Sequence, residues 1–306
     1  MEPDIFLEQE DAQQLLVSLN QISFTLVTPA ARQALLTGAG VSPSSISNLH
    51  FDPAGAFASE LTAYFRTARV SDMQPDYHPM VNVLSSLLAT TPLEDQTERL
   101  FRKLITRGQE NLKAIRARSS VGRLESPENH AIGTGVLLDN GMVLTCYHVL
   151  QEVQGRCWIR FGYKKRRDSW LPDPGEAFEL AVEPLVANSY LDYALLKIIR
   201  GPEQRPVMHP IKKVLDIGQK VYLIHHPLGH PIEVSNAGQV TNTSDDYLDH
   251  NIPSQKGSSG APLFDRDWHF VAIHSGDPLG RTLEPGTTAA VPLTAFWDTL
   301  VARISV

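Results

Sequence analysis

The feature that most restricts this chain is a change of hydrophobic period near residue 116. Before it, apolar residues recur at helical spacing. Phe57, Leu61, Tyr64 and Phe65 share one helical face. Met80, Leu84, Leu87 and Leu88 make a second stripe; Leu100, Phe101, Leu104, Ile105 and Leu112 make a third that begins near Pro92. Asp11 is placed to cap a helix carrying Leu15, Leu16 and Leu19. Thr28-Pro29 and Asp52-Pro53 are start signals, because proline lacks an amide hydrogen that the first turn leaves unused. Gly38 or Gly40 would end the helix that Pro29 opens. With a short segment around residues 44–49, these elements predict an all-α helical bundle over residues 1–115.

Beyond Arg116–Ser120 (RARSS), which reads as a linker, the period moves towards two. Short apolar runs lie at Gly135–Leu138, Met142–Thr145, Cys157–Tyr163, Leu180–Val186, Tyr193–Ile198, Val221–His225 and Phe270–Ile273. Turn clusters separate them, among them Asp139-Asn140-Gly141, a strong hairpin signal. Only Thr294–Ile304 looks helical. Residues 121–306 are therefore expected to be an all-β sandwich or barrel pair with a C-terminal helix, and the whole a multi-domain α + β chain.

Composition removes several alternatives. At 306 residues the chain has room for two domains of about 150 residues. Twenty-seven basic against thirty-four acidic residues give a net charge of −7, which argues against broad nucleic-acid binding. The run Lys164-Lys165-Arg166-Arg167 reads as a solvated loop. No apolar run reaches the roughly 18 residues that a membrane span needs, and the acidic start MEPDIFLEQEDAQQ lacks the features of a secretion signal. Cys146 and Cys157 cannot make a disulfide framework, which points to a reducing, cytoplasmic setting and to buried free thiols.

Three short motifs carry chemistry. TGVLLDNGMVLTCYHVL (134–150) places His148 where a strand ends. LDYALLKI places Asp192 at the start of a buried strand, and KGSSGAPLFD holds Ser259 in a glycine-flanked loop. A serine hydroxyl is a weak nucleophile unless an imidazole takes its proton and a carboxylate orients that imidazole.

In this order, TCYHV, DYALLK and GSSGAP, with YLIHHPLGHP between, resemble the chymotrypsin-like serine peptidases, most closely their glutamyl-endopeptidase and HtrA-like branches. The resemblance spans residues 121–306. It implies a double β-barrel with Ser259 as nucleophile, His148 as base and then acid, Asp192 as orienting carboxylate, and the amides of Gly257 and Ser259 as oxyanion hole. No cofactor or metal is implied, and His225, His226 and His230 read as strand and turn rather than as a zinc cluster. Activity is expected to fall below the histidine pKa, about 6.5 for an ordinary imidazole. Secreted digestive relatives carry an aspartate before the nucleophile, where it pairs with a newly cut amino terminus. Here that residue is Ser258, so control is expected elsewhere, in the helical half.

In the same family the strand of HFVAIHSGD forms a wall of the specificity pocket, and His274 matches a histidine of acid-specific relatives. With Lys256 at the pocket mouth, two potential cations would favour glutamate or aspartate before the scissile bond. The alternative is a packed His274 and a Lys256 turned to water. The helical half resembles, by architecture and pattern, the CARD-like and effector-associated death-fold adaptors fused to proteases in bacterial conflict systems. That resemblance implies a homotypic adaptor partner, with a gasdermin-like pore former as one target. The rival expectations are a non-catalytic scaffold that displays a peptide groove, a broad quality-control protease, and a helical half that is only a cap or lid.

Overall fold

The structure is a computed structural model that describes residues 2–25, 28–166, 169–201, 204–276 and 280–304. Its contacts divide the chain into a helical unit, Glu2–Ile115, and a strand-rich unit from Arg116 onward.

The helical unit contains α1 (Gln9–Thr25), α2 (Pro29–Gly38), α3 (Pro43–Ile46), α4 (Ala54–Thr67), α5 (Pro79–Thr90) and most of α6 (Asp95–Ser119). Thr28 caps α2 as its sequence suggests, its hydroxyl accepting from the Ala31 N–H at 3.2 Å. Asp11 is not a cap. It lies inside the first turn of α1, buried, and its carboxylate pairs with Lys103 at 2.9 Å and Arg107 at 2.7 Å on α6. Asp52 makes no cap either, since α4 starts after Pro53 without a side-chain capping bond. The cap of α5 is His78, whose Nδ1 accepts from the Met80 N–H. Phe57, Leu61, Phe65, Leu84, Leu87, Phe101 and Leu104 meet in one core, so the helical stripes are the buried faces.

Residues 116–120, expected as a linker, are otherwise disposed. Helix α6 continues through Ser119, and Arg118, Ser119 and Ser120 are buried. Ser120 donates its hydroxyl to the Pro206 carbonyl at 2.8 Å.

In the strand-rich unit, β1 (Val121–Glu125), β2 (Ala131–Leu138), β3 (Met142–Thr145), the short helix α7 (Tyr147–Gln151), β4 (Cys157–Phe161), β5 (Glu176–Leu180), β6 (Val186–Asn188) and β7 (Tyr193–Lys197) come first. Their sheet runs β5-β4-β1-β2-β3-β7-β6, all antiparallel. Bonds from the Ala181 N–H to the Lys197 carbonyl (2.8 Å) and from the Ile199 N–H to Glu179 (2.9 Å) close β5 onto the end of β7. The hairpin between β2 and β3 turns at Asn140 (φ 57°) and Gly141 (φ 66°), as the Asp-Asn-Gly signal requires.

The second sheet is built from β8 (Lys220–His225), β9 (Glu233–Val234), β10 (Gly238–Thr243), β11 (Leu248–His250), β12 (Pro262–Asp265), β13 (Phe270–His274) and β14 (Thr288–Pro292). Its order is β10-β11-β14-β13-β12-β8-β9, and a further β8–β10 pairing closes it. A closed sheet leaves no long edge unpaired, and its inward side chains fill the middle. Here they include Val221, Leu223, Leu263, Val271 and Ala290. The chain ends in a 3-10 turn, Leu293–Phe296, and α8 (Trp297–Ile304). The architecture is thus a helical bundle followed by two β-barrel sheets and a C-terminal helix. Among the described residues, no helix is long and apolar enough to cross a membrane.

Candidate active site

His148, Asp192 and the loop around Ser259 project from the strand ends of the two barrels. His148 lies in α7, one turn beyond the end of β3 rather than on the strand itself. Its Nδ1 is 2.8 Å from Asp192 Oδ2, and its backbone N–H donates to Asp192 Oδ1 at 2.9 Å. Asp192 is 3% exposed, with a left-handed backbone (φ 50°) just before β7. The Asn188 side chain shapes that turn by accepting from the Tyr190 and Leu191 N–H groups.

A third donor completes the carboxylate's shell: Ser275 Oγ gives its proton to Asp192 Oδ2 at 2.6 Å. Burial alone would raise the pKa of Asp192. The hydrogen bonds from His148 and Ser275, with the charge of the imidazole, outweigh it and hold the carboxyl below the ordinary aspartate value. The pair therefore keeps the imidazole proton on Nδ1 and leaves Nε2 unprotonated, able to accept a proton. Cys146 belongs to the same neighbourhood but stays a thiol. It donates to the His274 carbonyl at 3.3 Å, and burial beside Asp192 drives its pKa well above the ordinary value. Burial also pushes Cys157 up to about 12, and both thiols are free.

Ser259 is half-buried between β11 and β12, its hydroxyl donating to the Ser275 carbonyl at 3.3 Å. Ser275 thus touches both Ser259 and Asp192. The loop before Ser259 is held on several sides. Thr134 of β2 donates its hydroxyl to the Gly257 carbonyl at 2.7 Å, and its N–H to the Ser259 carbonyl at 2.8 Å. The Lys256 carbonyl accepts from the Leu228 N–H at 2.6 Å, and the Ser258 carbonyl from the Ala261 N–H at 3.0 Å.

Those last two bonds decide the direction of two amides. A trans peptide carries its N–H opposite its C=O. Anchoring the carbonyls of Lys256 and Ser258 therefore aims the N–H groups of Gly257 and Ser259 the other way. Among the described residues, nothing accepts from either N–H. Two unspent amides beside a serine hydroxyl can receive a developing oxyanion.

Glycine is needed at two places here. Gly257 has φ 92°, and a Cβ there would stand 2.7 Å from the His226 carbonyl. A Cβ on Gly260 (φ 83°) would run into Thr145 Oγ1 and the Thr134 carbonyl.

The two pocket candidates differ in placement. His274, in β13, is 2% exposed. The Ile252 N–H donates to His250 Nδ1, so neutral His250 carries its proton on Nε2 and donates it to His274 Nδ1 at 3.2 Å. His274 then holds its own proton on Nε2, which lies 3.6 Å from where a Cβ of Gly276 would stand. Burial first, then the neighbouring histidines, keeps His274 uncharged, so it is a neutral donor and not a cation. Lys256 is exposed, with Nζ 3.8 Å from a Glu152 carboxylate oxygen.

His225, His226 and His230 do not converge as metal ligands. His225 Nδ1 is 2.7 Å from Ser258 Oγ, and His226 Nδ1 bonds the His230 carbonyl at 3.0 Å. In the basic run, Lys165 pairs with Glu233 at 3.0 Å, and Arg167 lies outside the described residues. Asp277, at the end of the HFVAIHSGD segment, lies outside them as well. Thr134, Leu228 and Ser275 escape sequence reasoning, because each acts through a partner far along the chain.

Residues 133–273 match the family model described as trypsin-like peptidase domain, and residues 9–118 match that of effector-associated domain 8. No protein of curated function matches the chain. Among solved structures, a serine endoprotease from Yersinia pestis is 21% identical with a TM-score of 0.51, covering 64% of this chain and 66% of its own. An inactive-form serine-to-alanine mutant protein from M. tuberculosis is 16% identical, with a TM-score of 0.49, covering 63% of this chain and 90% of its own. At 21% identity the likeness to the Yersinia pestis structure is one of fold alone, and the two family matches carry the assignment: an effector-associated domain 8 match over residues 9–118 precedes a trypsin-like peptidase domain match over residues 133–273.

Proposed function

We propose that the chain is a serine endopeptidase brought to a protein target by its helical unit. Ser259 is the nucleophile, His148 the general base and then acid, and Asp192 the orienting carboxylate. At rest the Ser259 hydroxyl donates to Ser275. With a peptide bound it turns to His148 Nε2, gives up its proton and attacks the scissile carbonyl. The carbonyl oxygen, now negative, takes the N–H groups of Gly257 and Ser259. The imidazolium returns the proton to the leaving amine, and water, activated by the same imidazole, releases the acyl-enzyme. The observation that carries this reading is the pair of unspent amides beside Ser259, together with an Asp192 carboxylate that binds both the ring and the backbone of His148.

A specificity reading follows from His274. A buried neutral N–H at the wall by Gly276 favours a carboxylate-bearing side chain before the scissile bond, with Lys256 at the rim adding little because it is solvated. The helical unit supports recruitment, since an effector-associated domain in front of a peptidase suits a conflict or signalling system. A homotypic adaptor partner would raise the local concentration of enzyme at its target to roughly millimolar. Action is proposed in the cytoplasm, on a folded protein such as a gasdermin-like pore former. A proteome-derived peptide library digested by the full chain tests this. The expected result is cleavage after glutamate or aspartate that disappears in Ser259→Ala. Cuts only after apolar or basic residues would remove the specificity reading, and cutting that survives Ser259→Ala would remove the enzyme assignment.

A further inference from the structure

The residue before the proposed nucleophile has an unusual partner. Ser258 is fully buried, and its Oγ lies 2.7 Å from Nδ1 of His225, the last residue of β8 and itself 5% exposed. The same hydroxyl accepts from the Gln255 N–H at 3.3 Å, so it keeps its own proton to give to the imidazole. Ser258 is also tied through both of its peptide groups, by N–H to the Gln255 carbonyl at 3.0 Å and by C=O to the Ala261 N–H at 3.0 Å. The peptide that leaves Ser258 carries the N–H of Ser259. The torsions of Ser258 therefore set where one of the two oxyanion donors points.

We propose that the Ser258–His225 hydrogen bond is a built-in positioning latch, which holds the Gln255–Ser259 loop with its amides aimed at the reacting carbonyl in the uncleaved chain. The proposal rests on the peptidase reading above. Its physical basis is charge. A carboxylate at this buried position would need a cation beside it, such as a freed terminal amine. A hydroxyl beside a neutral imidazole needs none. Burial pushes His225 down to about 4, so the pair stays uncharged near neutral pH. Control of the enzyme then acts on access and location, and the oxyanion loop needs no cut to form.

Saturable labelling of the intact full chain with a fluorophosphonate probe tests the latch. In Ser258→Ala and His225→Gln the maximal labelling rate should fall about 10–100-fold, less than the roughly 10²–10³ lost with a whole oxyanion donor. The half-saturating probe concentration should stay within about threefold, because the loss is made in the transition state. His225→Asn, whose amide oxygen can take the place of Nδ1 and accept the same hydroxyl proton, should label within about threefold of the wild type. Wild-type labelling of Ser258→Ala, equal slowing in the Asn and Gln variants, or labelling that begins only after the chain is cut would each overturn the latch. Labelling that persists in Ser259→Ala would instead overturn the peptidase reading beneath it.

Discussion

The helical and strand-rich units solve the problem of burial in different ways. In the helical unit the backbone satisfies itself within each helix, so an apolar stripe is nearly enough to specify the packing. Phe57, Leu61 and Phe65 on α4 and Leu84 and Leu87 on α5 are almost completely buried at the spacing their sequence shows. The strand-rich unit buries a working polar network. Glu125 is fully buried between Arg123 and Arg160, each 2.7 Å away, and His226, His250 and Ser258 are 0% exposed. Such groups cost stability unless each finds its partner. The lesson is that the strand-rich unit gathers many charged and titratable groups in its core, whereas the helical unit relies mainly on apolar stripes and buries fewer such groups, Asp11 and His78 among them.

Acid should separate the two units most strongly. Burial lowers His225 to about 4 and His226 and His250 to about 3, and lowers His274 too. Among the described residues, the helical unit holds one comparable group, His78, at about 4. An unfolded chain protonates these rings near pH 6.5, the folded one only near the lowered values. Between those limits the unfolded state binds more protons, so the stability is fully present above about pH 6.5 and is lost as pH falls. At pH 4.5 each ring lowered to about 3 or 4 costs on the order of 2–3 kcal/mol. Hydrogen exchange followed by mass spectrometry should show the strand-rich unit opening before the helical one. The reverse order would break the contrast.

Core truncation sharpens the contrast from the other side. Phe65→Ala removes a fully buried ring and should destabilise the helical unit by about 3–5 kcal/mol, read by the same exchange measurement. Fluorophosphonate labelling should remain, because the peptidase chemistry lies in the other unit. A smaller effect is expected within the site. Thr134→Val keeps the shape but removes the hydroxyl that holds the Gly257 carbonyl, and kcat should fall about 10–100-fold with KM nearly constant. An equal rise in KM would show that Thr134 serves binding instead.

Legibility followed the same divide. The helical stripes, the Thr28 cap and the Asp139-Asn140-Gly141 hairpin are local, and each could be read from neighbouring residues. Strand β1 (VGRLE) was hidden, because two of its buried residues are charged and only the fold supplies Arg160 to neutralise Glu125. The run Leu180–Val186 is no strand: β5 ends at Leu180 and β6 begins at Val186, with Pro184 between. In the site, His148, Asp192 and Ser259 stood out because their motifs are local. Thr134 lies 123 positions from Gly257, and Ser275 lies 83 from Asp192. No local pattern announces such partners, and His78 as the cap of α5 shows the same limit on a smaller scale.

As proposed, Ser259 is an activated nucleophile in the uncut chain. The direct measurement is intact-mass and peptide mapping after brief exposure to a fluorophosphonate at neutral pH. One stoichiometric adduct is expected, on Ser259, absent from Ser259→Ala and strongly slowed in His148→Ala. No adduct on the wild-type chain, or one carried by another residue, would contradict it.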